Sequence, residues 1–194
     1  MMLLFHKFVI SMSYFNTREL ASIALFSGLW GVLSSIFAPI VFRMFGLPIL
    51  CDMIGFAILT LTAWWIRKFG AVTMVGLVAT VVNFIFNPGG FHFLGFTATS
   101  IVFDATAKLM GYDKCFEKPL FTTVSMFSAS VLSAALAGLI IGVFFTAAPA
   151  LARCGGVVGW VALHAIGGII GGFIGVALVT SLAAIGVRRM DVKK

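Results

Sequence analysis

The chain has 194 residues, 61% of them hydrophobic and only 10% charged, with a mean hydropathy of +1.16. That balance excludes a water-soluble globule with a polar shell and implies an all-α membrane bundle, with room for about six spans of ~20 residues in a single transmembrane domain. The net charge of +7 does not point to nucleic acid, because the basic residues sit at the ends of apolar segments and no basic face alternates with exposed aromatics.

Met1 to Ile10 lacks the long apolar core and small-residue cleavage site of a signal peptide, so it reads as a short interfacial lead-in. Asn16-Thr17-Arg18-Glu19 carries a capping signal and opens a predicted helix over 18–42, with Pro39 near its far end. Ala21, Ala24, Gly28, Gly31 and Ser35 recur at steps of three and four, which places them on one stripe of that helix. Such a groove admits close approach of another helix, from this chain or from a separate subunit. Pro48 starts a second helix over 48–66, with Asp52 just inside it, placed to pair with Arg43 at the rim or to face a cavity. Trp64 and Trp65 beside Arg67 read as an interfacial aromatic belt.

The third helix covers 71–86, and the polar turn Asn87-Pro88-Gly89-Gly90 leads to a fourth over 91–109. In the fourth, Asp104 and Lys108 have the i,i+4 spacing of an ion pair. Met110 to Pro119 is the most charged loop. A fifth helix, 120–146, places Ser130, Ala134, Gly138 and Gly142 at steps of four, a second small-residue stripe. A Pro-containing loop with Arg153 precedes the sixth helix, 156–187, which is long enough to tilt or to break near its glycines. Cys51, Cys115 and Cys154 share no metal or redox spacing and read as buried inert thiols.

Six helices bring both termini and the 66–70 and 110–119 loops to one side, which then holds 11 of the 13 Lys and Arg residues. Only Arg43 and Arg153 fall opposite, so the positive-inside rule makes both termini cytoplasmic in a multi-pass plasma-membrane protein. With that orientation Asp52, Asn83, Asn87, His92, Trp160 and His164 map to the outer half of the bundle or its rim. Polar groups are costly in lipid, so a convergent set pairs internally or lines an aqueous cavity. Together with Trp30 and nearby Phe residues it would suit a small, partly aromatic, hydrogen-bonding ligand approached from outside.

No nucleotide-binding GxxxxGK[ST] and no HExxH occurs, and His6, His92 and His164 have no ligand spacing, so neither metal nor cofactor is expected in this chain. His164-x-x-Gly167-x-x-x-Gly171 resembles the late histidine helix of rhomboid intramembrane proteases. That chemistry needs an activated serine, and the chain has no Gly-x-Ser tripeptide, which leaves glycine-rich helix packing as the other reading.

The stretch WWIRKFGAVTMVGLVATVVNFIFNPGGFHFLGFTATSIVFDATAK resembles the substrate-binding S component of energy-coupling factor (ECF) transporters, nearest the hydroxymethylpyrimidine/thiamine type. Arg67, Lys68, Gly70, Asn87, Pro88 and Gly90 carry the likeness, and RELASIALFSGLWGVL is similar to that group's first helix. The likeness runs from about Arg18 to Lys108; beyond it only topology corresponds. Where the group tends to carry acidic residues in the third helix this chain has Gly76 and Asn83, which weakens the case for a cationic thiazolium ligand and leaves a neutral pyrimidine or another vitamin precursor. The resemblance implies no chemistry on the ligand. It implies docking through the Ala21, Ala24, Gly28 and Gly31 face onto a transmembrane coupling subunit, with two cytoplasmic ATPase subunits supplying the ATP-driven step. A structural or assembly membrane protein with no ligand is the alternative, suggested by the glycine-rich helices.

Overall fold

The computed structural model describes residues 14–187; the lead-in, Lys7, Arg188, Arg189, Lys193 and Lys194 lie outside the described residues. The described chain forms helices α1 (Thr17–Phe45), α2 (Ile49–Ile66), α3 (Ala71–Phe86), α4 (Phe93–Met110), α5 (Tyr112–Cys115), α6 (Pro119–Phe144), α7 (Ala148–Arg153) and α8 (Gly156–Ala184). Of these, α1, α2, α6 and α8 are long and apolar enough to cross a membrane. α3 is apolar but only 16 residues long, and α4 has the length but is diluted by Thr97, Thr99, Ser100, Asp104, Thr106 and Lys108. The six expected segments are thus all helical, and four of them satisfy the length and hydropathy of a span unaided.

The helices close in the ring order α1–α3–α4–α6–α8–α2, and α2 also touches α3, α4 and α6, so it leans into the centre. Small residues permit this. A Cβ on Gly171 would lie 2.7 Å from the Asp52 carbonyl oxygen on α2, and one on Gly138 of α6 would lie 2.8 Å from the Val161 Cα on α8. Leu25, Ile85, Val158 and Phe173 project outward from the bundle, as lipid-facing side chains do.

The loops correct several expectations. α1 runs through Pro39 to Phe45 and stops where Gly46, in the left-handed region at φ 70°, donates to the Phe42 carbonyl. The segments expected as loops on either side of α6 each contain a short helix, α5 and α7. Asn16 and Glu19 do form the capping box, with bonds of 2.8 and 2.9 Å.

Asp104 does not pair with Lys108. Its Oδ2 accepts from the backbone N–H groups of Gly70 (2.8 Å) and Thr73 (3.0 Å) and from the Thr73 hydroxyl (2.8 Å). Gly70 is the N-cap of α3 and has no side chain to cap with, so a carboxylate from α4 does that work across the helix pair. The Tyr112 hydroxyl holds the other oxygen. Lys108 instead places its ammonium 4.2 Å from the centre of the Phe69 ring. Lys68 bonds the buried Glu19 at 2.9 Å and ties α1 to the α2–α3 turn. Trp64 is buried in the core and does not form a belt; Trp65 donates to Ser22 at 3.1 Å.

Candidate functional site

The end of the bundle opposite Arg67, Lys68 and the α4–α6 connection holds a cavity of about 330 Å³. It lies among the C-terminal half of α1, the start of α2, the end of α3, the turn before α4, the end of α6 and the start of α8. Its size falls at the lower end of what small-molecule sites occupy, and its wall is mainly apolar. Phe42, Phe96 and Trp160 give it an aromatic face; the Phe42 and Trp160 rings meet edge to face at 6.4 Å.

Five residues singled out in the sequence line this one cavity: Asn83, Asn87, His92, Trp160 and His164. They come from α3, from the turn after it and from α8, at positions far apart in the chain. Asn83 donates to the Ser35 hydroxyl at 2.8 Å, which ties α3 to α1, and its Oδ1 finds no partner among the described residues. That oxygen lies against Gly90, where a Cβ would collide with it, so the Asn87-Pro88-Gly89-Gly90 turn needs glycine at this point. His92 sits in the turn ahead of α4; burial, with His164 nearby adding to it, lowers its pKa below the ordinary histidine value.

Asp52 is fully buried and meets neither Arg43 nor the cavity wall. It pairs with His164, whose Nδ1 lies 3.0 and 2.9 Å from the two carboxylate oxygens, while Arg43 is exposed on the surface. The helices make room for this pair: a Cβ on Gly167 would lie 2.6 Å from the Asp52 Cβ, and one on Gly138 would lie 2.9 Å from the His164 Cβ. The glycines that resemble a protease histidine helix therefore accommodate a carboxylate from α2. Among the described residues His164 bonds only Asp52, and no serine, threonine or cysteine reaches its Nε2.

Trp30 does not line the cavity. It is buried behind it, with its ring 5.9 Å from Phe93 and 6.1 Å from Phe96, so it props the wall instead of forming it. Gly55 is fitted to this indole, since a Cβ there would lie 2.8 Å from it. Ser34, Phe42, Cys51 and Phe96 are wall residues that sequence reasoning missed. Ser34 was within reach, because it is a polar residue one position from the Ser35 of the stripe.

The α1 stripe divides. Ala21 and Ala24 are exposed, and a Cβ on Gly28 would meet nothing within 4 Å. Gly31 instead is buried against α3, where a Cβ would lie 2.7 Å from Val82, so it serves internal packing and not an open face.

Four apolar helices and a ligand-sized cavity at one end of an all-helical bundle define the class, a helical membrane protein with a cavity at one end. Comparison with protein-family models, with curated proteins and with solved structures returns no match to this chain.

Proposed function

We propose that the chain is the substrate-binding S component of an ECF-type ABC importer, taking up a vitamin or vitamin precursor of thiamine/hydroxymethylpyrimidine-like character. It binds the ligand from outside the cell. It passes it inward when coupled to a transmembrane coupling subunit and two cytoplasmic ATPase subunits. The observation that carries this reading is the convergence of Asn83, Asn87, His92, Trp160 and His164 on one cavity, at the end of the bundle away from Arg18, Arg67, Lys68, Lys114 and Lys118. By the positive-inside rule that basic end is cytoplasmic, so the cavity faces out. The exposed Ala21 and Ala24, with the half-buried Gly28 whose Cβ would meet nothing, leave a strip of α1 on which another helix can lie.

A ligand-free assembly protein is favoured by one observation, since Asp52 and Asn83 each find a partner within the chain. An assembly protein gains nothing from a cavity walled by Asn83, Asn87, His92 and His164, and the buried Asn83 Oδ1 and His164 Nε2, without partners among the described residues, add to the case for a ligand. The test is purification of the protein from membranes containing ATPase subunits, with mass spectrometry of the retained small molecule. A vitamin-like molecule and copurifying ATPases are expected. A protein that binds nothing in a screen of vitamins and precursors, and brings down no ATPase, refutes the proposal.

A further inference from the structure

His164 and Trp160 stand one turn apart on α8, about 6 Å along the axis, and both line the cavity. Both are nearly fully buried, at 1% and 4% exposure. Among the described residues the His164 Nε2 and the Trp160 Nε1 have no partner. An indole N–H can only donate, whereas an imidazole nitrogen donates or accepts according to its proton. What the α8 wall recognises therefore depends on whether His164 Nε2 carries hydrogen.

The Asp52 contact answers this by counting protons. Among the described residues the Asp52 carboxylate has His164 as its only side-chain partner, and both side chains are buried, so a net charge on the pair is costly there. A neutral pair holds two protons. If the shared proton rests on Nδ1, the imidazole is cationic and also carries hydrogen on Nε2. If it rests on Asp52, the acid donates to Nδ1 and the neutral ring again carries its hydrogen on Nε2. A bare Nε2 requires either an uncompensated carboxylate or an acid proton with no acceptor.

We infer that the Asp52–His164 pair fixes His164 Nε2 as a hydrogen-bond donor at the cavity wall, so that His164 and Trp160 together select a ligand presenting acceptor groups and disfavour a cation. This rests on the reading of the cavity as a ligand site. Asp52 is then a positioning residue and not a counter-charge for the ligand, and among the described residues no carboxylate lines the cavity wall. The acceptor class comprises ring nitrogens of the pyridine type, carbonyls and carboxylates.

The test uses the full chain in lipid nanodiscs, with ¹⁵N-labelled histidine. The sequence has three histidines, so the His164 signals are assigned by their loss in the double variant Asp52→Leu, His164→Phe. That variant replaces the pair by apolar groups and avoids a stranded charge. A protonated Nε2 at pH 7 is expected; an unprotonated Nε2 overturns the inference. Binding is read with a matched pair of probes, pyridine-3-carboxamide and its N-methylpyridinium cation. The neutral probe should bind about tenfold or more tightly than the cation, and Trp160→Phe or the double variant should remove about tenfold in its affinity. Equal binding of the two probes, no binding of the neutral one, or no effect of the variants overturns it. A protonated Nε2 and selective binding in a protein that associates with no ATPase would sink the transporter reading alone. An unprotonated Nε2 in a protein that does associate would sink the donor assignment alone.

Discussion

At the residue scale, three of the six acidic side chains, Glu19, Asp52 and Asp104, are fully buried, and each is matched by a specific partner. Asp104 holds three donors around the first turn of α3 with a single oxygen. Asp104→Ala leaves those donors unpaired, each at roughly 1–3 kcal/mol, and should destabilise the protein by about 3 kcal/mol or more, whereas Asp104→Asn keeps an acceptor and should cost less. Thermal unfolding in detergent compares the two. Gly167→Ala pushes a methyl group against the Asp52 side chain and should cost about 1–3 kcal/mol in the same assay. Its His164 signal should shift as well, since the added methyl displaces the carboxylate that orients the ring. Neither pairing was legible beforehand. Asp104 and Lys108 have ideal local spacing, yet the backbone N–H groups at Gly70 and Thr73 compete for the same carboxylate and win, because a helix start without a cap is left with unsatisfied donors.

At the element scale, hydropathy marks the helices well because the runs between Gly46, the Arg67–Gly70 turn and the Asn87–Gly90 turn are nearly free of charge. The expected 71–86 coincides with α3, whose ends are set by two glycine-containing turns. Which face each helix turns inward is less legible, since α6 and α8 are apolar almost all round and the small-residue stripe of α1 does not say which of its members pack inside the bundle. Hence Trp30, chosen as a wall residue, stands one layer behind, and Gly31 turns toward α3 while Gly28 three residues earlier stays open. That difference separates packing from docking. Gly28→Leu should leave stability within the change expected of a surface substitution, about 0.5 kcal/mol, and abolish association with the proposed coupling subunit while ligand binding persists. If association survives, the open strip of α1 is not a docking face.

At the scale of the whole molecule, the site was legible as a set before it was legible as a shape. Counting the spans places polar residues of distant segments at the same depth, and five of the seven chosen residues share the cavity. The Phe residues that complete the wall were expected only as a class and not by number, because the chain has 21 of them and composition does not say which face inward. Sidedness is open to direct measurement in intact cells. In a background lacking the three native cysteines, Ala148→Cys at the cavity end should react with a membrane-impermeant maleimide, and Glu117→Cys at the basic end should react only after permeabilisation. The reverse pattern inverts the cavity and removes the basis for uptake from outside.

The cap on α3 also bears on the order in which the chain enters the bilayer. α3 spans ~24 Å by its 16 residues, short of a hydrocarbon layer of ~30 Å, and its leading amides are satisfied by an oxygen that the ribosome delivers 34 residues after Gly70. A nascent chain halted in the Asn87–Gly90 turn would carry an undersized segment with bare amides at its tip. If α3 and α4 both lie in the bilayer, they are expected to enter it as a pair, because the carboxylate that caps the first turn of α3 belongs to α4.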